Sequence, residues 1–545
     1  MTSEGEPPRT EERRPSSWFA PRPETRHVVP SSHRVGPVSD ICFAVVSVVT
    51  GAYFMYVGRD SWFFADEWAM AEQVRFPSGL VKPYNGHLSV LILGLYRGLL
   101  EVFGFSVYWP YRLAGVLSFL AVSAAMYVVM RREVGAVAAA VSGVLLLWPA
   151  GISVEPGGLN HSLTAVGAIV CAYGLNGSGR RRDLLVGGGL SFALLSAGGG
   201  VAVIAASVGH CVFTRPHWRR WLAVAVPSIL WAVWYQLAIP DNPVADAARP
   251  GLPDLLSFTV RHSLHSFSSL TLGNRYGGVV VGAVLLAVLV SRLTRGLAEA
   301  AGTLAWIGAL FVWWFGISWS RWFAEGVTFR YEFVSAVIIL LALLPSGASP
   351  ATTDPRSNRF PWPDRIRDLA KARAAAPAMM LLTLLIVVGP SSADLRSWGS
   401  EMALFGQAQQ RQAESMAFER QVPEPAGSFG FANRPASRIR RLFEVFGGPH
   451  GYGDPAAYVD AAVTVTKGMR SSCRSGSRSL DVVADGAVLA VARDEPITVT
   501  VKRFDFAPQV AAEVPARSQK RLEMETFGSD ARWSVTVSGG CLLER

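Results

Sequence analysis

Two neighbouring carboxylates, Asp66 and Glu67, lie in an aromatic run, Arg59-Asp-Ser-Trp-Phe-Phe-Ala-Asp-Glu-Trp68. Adjacent acids raise each other's pKa, and an apolar surround adds to that. Such a pair suits a general base, which works best when its pKa approaches the operating pH. It equally fits a solvated acidic turn held by interfacial aromatics. Downstream, Asn85-Gly86 favours a tight turn that would fix the direction of His87. His87 is then either a donor to a substrate hydroxyl or phosphate, or a turn residue. Arg112 opens a long apolar run, where its planar fork could bind phosphate oxygens or simply snorkel to the interface. Arg330 and Tyr331 sit in Glu325-Gly-Val-Thr-Phe-Arg-Tyr-Glu332, where Arg330 either meets a phosphate or pairs with Glu325 or Glu332.

These residues need a frame, and the composition names its kind. Half of the 545 residues are hydrophobic and 17% are charged, against about 25% charged in soluble domains. The net charge of +10 is spread in short clusters between apolar runs, which excludes one basic face for nucleic acid and fits cytoplasmic loops. Residues 1–38 are rich in Pro, Ser, Arg and Glu and read as a disordered cytoplasmic tail. The run 41–57 has no cleavage site and reads as an uncleaved anchor. Further runs of membrane length fall at roughly 112–130, 135–151, 160–176, 219–238, 277–291, 299–319, 329–345 and 376–390. The stretch 184–213, with glycines at 187–189 and 198–200, is too long for one unbroken helix. Two short spans or a re-entrant hairpin fit it. Its glycines match no phosphate loop and point to helix packing or a hinge.

The clusters Arg131-Arg132, Arg180–Arg182, Arg215 with Arg219-Arg220, Arg292 with Arg295, and the linker 356–373 fall on one side only if residues 88–104 do not cross. Arg97 and Glu101 share one face of that segment, so it reads as an interfacial helix. The expectation is an all-α polytopic membrane domain of about eleven spans over 39–391, N-terminus inside, with an outer loop at 59–111. Residues 392–545 read as an extracytoplasmic domain, helical near 400–445 and then β-sandwich-like, with strands at 461–466, 482–501 and 532–538. Arg261, His262 and His265 fall in the loop 239–276, where they could line an acceptor site. The i, i+3 histidines could also ligate metal, though no third ligand stands near.

An acidic pair soon after the first span, an interfacial helix, and an Arg opening the next span resemble the GT-C superfamily of glycosyltransferases. The branch with protein mannosyltransferases and aminoarabinose transferase is most similar. Its segment of the form "lfyw…lfG…RLP" is matched in layout by Asn85-Gly-His-Leu, Leu100-Glu-Val-Phe-Gly104 and Tyr108-Trp-Pro-Tyr-Arg-Leu113. The Lys-Pro-Pro-Leu element common in that branch is replaced by Lys82-Pro-Tyr-Asn-Gly-His-Leu88, so its sugar specificity does not carry over. The resemblance implies a polyprenyl-phosphate sugar donor, a glycan, lipid or protein acceptor hydroxyl, and inverting transfer on the outer face. It implies Asp66 as catalytic base, Glu67 as co-base or metal ligand, and Arg330 and Tyr331 near the donor phosphate. No nucleotide cofactor is expected, and a divalent metal is left open. A transporter or flippase of lipid-linked glycans, or a non-catalytic scaffold, is the alternative. Of the five cysteines, Cys473 and Cys541 alone lie outside apolar runs, and an oxidising compartment would let them pair.

Overall fold

The computed structural model describes residues 37–63, 66–147, 158–238, 251–271, 274–321, 329–345, 376–384, 396–397, 428–429, 434–449, 463–467, 479–482, 486–502, 510–524 and 533–544. Residues 1–36 of the expected tail 1–38, Glu325, the basic linker and Cys473 lie outside them, while Pro37 and Val38 open the first helix. The helices are α1 Pro37–Val57, α2 Asp66–Val74, α3 Val90–Phe103, α4 Trp109–Glu133, α5 Ala136–Leu147, α6 Leu159–Leu175, α7 Arg180–Ser196 and α8 Gly200–Thr214. They continue with α9 Trp218–Ala238, α10 Leu252–Ser269, α11 Arg275–Leu293, α12 Leu297–Arg321 and α13 Phe329–Ala342. A helix α14 covers 376–384, and α15 covers Ala436–Phe446.

Among the described residues, α1, α4, α9, α11 and α12 are long and apolar enough to cross a membrane, and α5, α6, α8 and α13 are shorter apolar helices. The faces they turn outward carry Ile41, Val48, Leu230, Leu237, Val279 and Leu286, all exposed. Continuous apolar surface of that kind is what lipid covers. The chain is a multi-pass membrane protein.

The stretch 184–213 resolves into two helices, α7 and α8, joined at Ala197–Gly199. The run 88–104 gives α3, whose 14 residues span about 21 Å at 1.5 Å per residue, short of the roughly 30 Å hydrocarbon core. Its Arg97 Nε meets Glu101 Oε1 at 2.7 Å, as the spacing predicts. One expectation fails: residues 239–276 are not all loop, since 252–269 form α10, packed against α11, α12 and α13. Its Ser- and His-rich sequence hides a helix whose buried edge is Leu255, Thr259, Ser263 and Ser266, small polar residues that a hydrophobicity pattern does not register.

The basic clusters gather at one end of the bundle. Arg131 pairs with Asp40 at the start of α1, and Arg182 pairs with Glu133 at the end of α4. Arg220 meets Asp183 at 3.0 Å and donates to the carbonyls of Leu175 and Gly177. Arg292 closes the end of α13, donating to the carbonyls of Leu343 and Leu344 at 2.7 Å. The loop that carries Asp66 and Glu67 lies at the opposite end, between the end of α1 and the start of α4.

Beyond α14, β1 (Ser428–Phe429) and β2 (Arg434–Pro435) form a short antiparallel pair before α15. Then follow β3 Val463–Lys467, β4 Ser479–Val482, β5 Gly486–Val491, β6 Ile497–Lys502, β7 Val510–Val514, β8 Gln519–Met524, β9 Trp533–Val537 and β10 Cys541–Glu544. They make two four-stranded antiparallel sheets, ordered β10-β5-β8-β3 and β4-β9-β6-β7. Alternation finds β3, β5, β6 and β9 but misses β8, Gln-Lys-Arg-Leu-Glu-Met, in which Leu522 is buried among polar neighbours.

Of glycines 187–189, Gly189 acts in close helix packing. A Cβ on Gly189 would lie 2.6 Å from the Cys171 nitrogen of α6, and one on Gly167 would lie 2.7 Å from the Ala193 nitrogen of α7. At Gly188 a Cβ meets nothing within 4 Å. Gly189→Val is therefore expected to cost about 1–3 kcal/mol by overpacking, and Gly188→Val to be near neutral by comparison, read as thermal midpoints in detergent. In the C-terminal strand β10, Cys541 is disulfide-bonded, while Cys42, Cys171 and Cys211 are free. We propose Cys473 as its partner. Non-reduced peptide mapping should recover the Cys473–Cys541 pair, and closing a loop of roughly 67 residues should stabilise the domain by about 4 kcal/mol.

Candidate active site

The end of α1 is fixed by an arginine. Arg112, in the first turn of α4 and 1% exposed, donates from Nε and Nη2 to the Phe54 carbonyl at 3.1 and 2.8 Å, and its Nη1 lies 3.4 Å from Ser61 Oγ. Glycine is required at position 58, where a Cβ would lie 1.4 Å from the guanidinium carbon. The Phe54 carbonyl also accepts from the Gly58 amide at 3.3 Å, so Arg112 adds charged donors to a carbonyl of the last turn of α1 and ties α1 to α4.

Asp66 is the first residue of α2, where the amide dipoles favour negative charge. Glu67 follows it and is 1% exposed. Tyr96 of α3 donates to Glu67 Oε1 at 3.2 Å, and Tyr108 donates to Oε2 at 3.0 Å. Around them Phe63 meets Phe105, Tyr108 and Tyr111 edge-on with centroids 4.9, 5.0 and 4.7 Å apart. Trp68 stacks on Phe105 at 5.0 Å. Tyr111 donates to the Gly104 carbonyl at 2.7 Å. Both carboxylate oxygens of Glu67 thus accept from phenols inside an aromatic shell.

His87 closes a two-residue turn. Tyr84 and His87 exchange backbone hydrogen bonds of 2.9 Å, and Asn85 and Gly86 take φ of 49° and 80°, the positive values that an Asn-Gly hairpin turn supplies. The His87 ring lies over Gly198 between α7 and α8, so that a Cβ there would fall 2.4 Å from Nδ1. A Cβ on the next residue, Gly199, would lie 3.0 Å from both Thr164 and Trp313. Trp313 donates to the Tyr331 carbonyl at 3.2 Å, and the ring of buried His161 stands edge-on to Tyr331 at 5.3 Å. The starts of α6, α8 and α13 therefore meet here, beside the turn that carries His87. Helix starts expose unpaired N–H groups and a partial positive charge.

Arg330 lies in the first turn of α13, one residue before Tyr331. Glu332 pairs with His265 Nε2 of α10 at 3.2 Å. His262 and His265 diverge, because His262 stacks on Trp314 at 5.0 Å. Among the described residues no group of three His, Cys, Asp or Glu is placed to hold a metal ion. Sequence reasoning missed His161 and Trp313; a histidine at the first turn of an otherwise apolar helix was the available signal.

No family model matches this chain, and no curated protein does. Among solved structures the chain is similar to ArnT from Cupriavidus metallidurans in the apo state, at 17% identity and a TM-score of 0.42 over 74% of this chain and 84% of that one. The same protein bound to Undecaprenyl phosphate is similar at 16% identity and a TM-score of 0.40, over 79% and 93%. The Archaeoglobus fulgidus oligosaccharyltransferase in complex with Zn and sulfate is similar at 13% identity and a TM-score of 0.42, over 70% and 56%.

The Glu67 cage makes a pH prediction. The Tyr96 phenol is held well above its ordinary value of 10.0, first by burial and next by the Glu67 charge. Below about pH 10 both folded and unfolded chains keep the proton; above it the unfolded chain loses it first. Stability should therefore fall as pH rises past about 10, by about 1.4 kcal/mol per pH unit. Tyr96→Phe should lessen the alkaline slope by that one-proton share while costing about 1.5–3 kcal/mol near pH 7, measured by denaturant unfolding in detergent between about pH 8 and 11.

Proposed function

We propose that this chain is a GT-C-type glycosyltransferase that moves a sugar from a polyprenyl-phosphate donor to an acceptor hydroxyl on the extracytoplasmic side. The observation that carries the proposal is a convergence at one end of the bundle. The α2 start with Asp66, the His87 turn, and the starts of α6, α8 and α13 with Arg330 and Tyr331 all lie there, opposite the basic clusters. Basic clusters favour the cytoplasmic side, which supports an outer placement of the site. Among the described residues, the buried titratable side chains Glu67, Arg112, His161, His210 and Arg220 lie near helix ends. A transporter would place such groups at mid-depth, so the enzyme reading is preferred over a flippase.

In this reaction Asp66 takes the proton from the acceptor hydroxyl as its oxygen attacks the anomeric carbon. The bond to the lipid phosphate breaks, the phosphate leaves with the electron pair, and the configuration inverts. Arg330 neutralises the leaving phosphate, and the helix starts add fixed positive dipoles that need no rearrangement in the transition state. Tyr331 and His87 orient the head group. Arg112 and Glu67 act at one remove, holding the loop, which revises the expectation that Arg112 binds phosphate and Glu67 shares the base role.

Purified protein incubated with radiolabelled polyprenyl-phosphate sugars and membrane acceptors should transfer label. Asp66→Asn should lower turnover by at least about 10²-fold, the lower range of general-base assistance, with donor binding little changed. Arg330→Lys should weaken donor binding as well as rate, because a point charge replaces a two-pronged contact. Well-folded Asp66→Asn protein with near-normal turnover would remove Asp66 as the base.

A further inference from the structure

We infer that α15, the helix leading into the soluble domain, is a positioning element of the carboxylate loop. Leu442 and Phe443 are 1% and 3% exposed and belong to the same buried cluster as Trp62, Phe63 and Trp68. The Phe443 ring meets Phe105 at 5.2 Å and 74°, and Trp68 at 6.0 Å and 71°. Trp68 follows Glu67 in α2 and stacks flat on Phe105. Phe443 therefore closes the side of the aromatic shell that the membrane helices leave open.

The backbone makes the same connection. The Phe105 amide donates to the Gly447 carbonyl at 3.4 Å. Gly104 has a φ of 56°, and a Cβ there would lie 2.3 Å from the Phe446 carbonyl oxygen. Glycine at 104 thus serves two constraints, a left-handed backbone and direct contact with the end of α15. The opposite face of α15 is solvated, with Arg441, Glu444 and Val445 exposed. One apolar edge is committed to the loop, and the chain continues from there into the two sheets. Docking of α15 and the placement of the start of α2 are one event. In its catalytic consequence this inference rests on the proposed function; in its structural content it does not.

Two measurements on the full-length protein in detergent separate them. In Phe443→Ala, amides of α2 should exchange faster with deuterium while those of α6 and α7 keep their protection. Gly104→Ala, which wedges the contact open from the loop side, should do the same. In the transfer assay Phe443→Ala should lower kcat by up to about 10²-fold, the scale of a misplaced catalytic group, with donor KM unchanged. Phe443→Leu should recover most of the loss, and Val445→Ala, on the exposed face, should change neither readout. Unchanged α2 exchange in Phe443→Ala overturns the positioning role whatever the assay shows. Exchange that rises equally in α6 and α7 also overturns it, since a positioning contact loosens its own loop first. Faster α2 exchange with undiminished kcat overturns the catalytic consequence. If the unaltered protein transfers no sugar from any donor, the proposed function fails, and the exchange comparison still decides the docking.

Discussion

A carboxylate with almost no access to water sets the terms for the loop around it. Taking an ionised group out of water costs several kcal/mol unless hydrogen bonds replace its hydration. Glu67 meets that condition with two phenols, one from α3 and one from the residue before α4. Charge-assisted hydrogen bonds are directional, so α2, α3 and the start of α4 cannot slide independently. The rings that exclude water, Phe63, Trp68, Phe105 and Tyr111, come from those elements and the chain between them. Leu159 at the start of α6 joins the same cluster from the membrane bundle and Phe443 from α15. Five helices thereby meet in one aromatic cluster.

Small residues let the bundle support this assembly. Gly58 admits the Arg112 guanidinium to the last turn of α1, Gly198 admits the His87 ring, and Gly167 with Gly189 bring α6 and α7 together backbone to backbone. In lipid, where apolar surface gains little by leaving its surroundings, such close approach is the main source of helix association. The glycine positions thus locate the His87 turn and the start of α6 relative to one another. The opposite end is organised by charge instead: Arg131, Arg182, Arg220 and Arg292 are each tied to acids or to helix carbonyls. One end is knit by ion pairs and capped carbonyls, and the other presents helix starts, aromatics and the acidic loop.

Most of this frame was legible in the sequence, for physical reasons that also mark where legibility stops. Apolar runs must pair their backbone groups internally in lipid, so each expected run appears as a helix over its described residues. The Arg97–Glu101 spacing foretold α3, and Asn85-Gly86 foretold the turn at His87. Hidden features share another trait: their meaning depends on what packs against them. α10 buries serine and threonine, β8 buries one leucine among charges, and His161 gains its place from Trp313 and Tyr331, residues more than a hundred positions away. Arg112 shows the same limit. Its type and position at the start of an apolar run fit a phosphate ligand as well as a carbonyl pin, and its hydrogen bonds to Phe54 appear only once α1 and α4 are packed together.

The two acids that drew attention as a pair are the clearest case. Neighbours in sequence stand about 100° apart around a helix, so consecutive residues at the start of α2 do not share a face. Once Glu67 is enclosed by Tyr96 and Tyr108, a role beside Asp66 as second base would require breaking both hydrogen bonds and opening the aromatic shell. Leaving a buried carboxylate unpaired costs about 3–5 kcal/mol, an amount that would cancel most of the advantage a second base supplies, since assistance of about 10²–10⁴-fold corresponds to about 3–5 kcal/mol. The arrangement therefore divides the pair. One carboxylate gives its charge to the fold, and its cage holds the turn of helix from which the other begins.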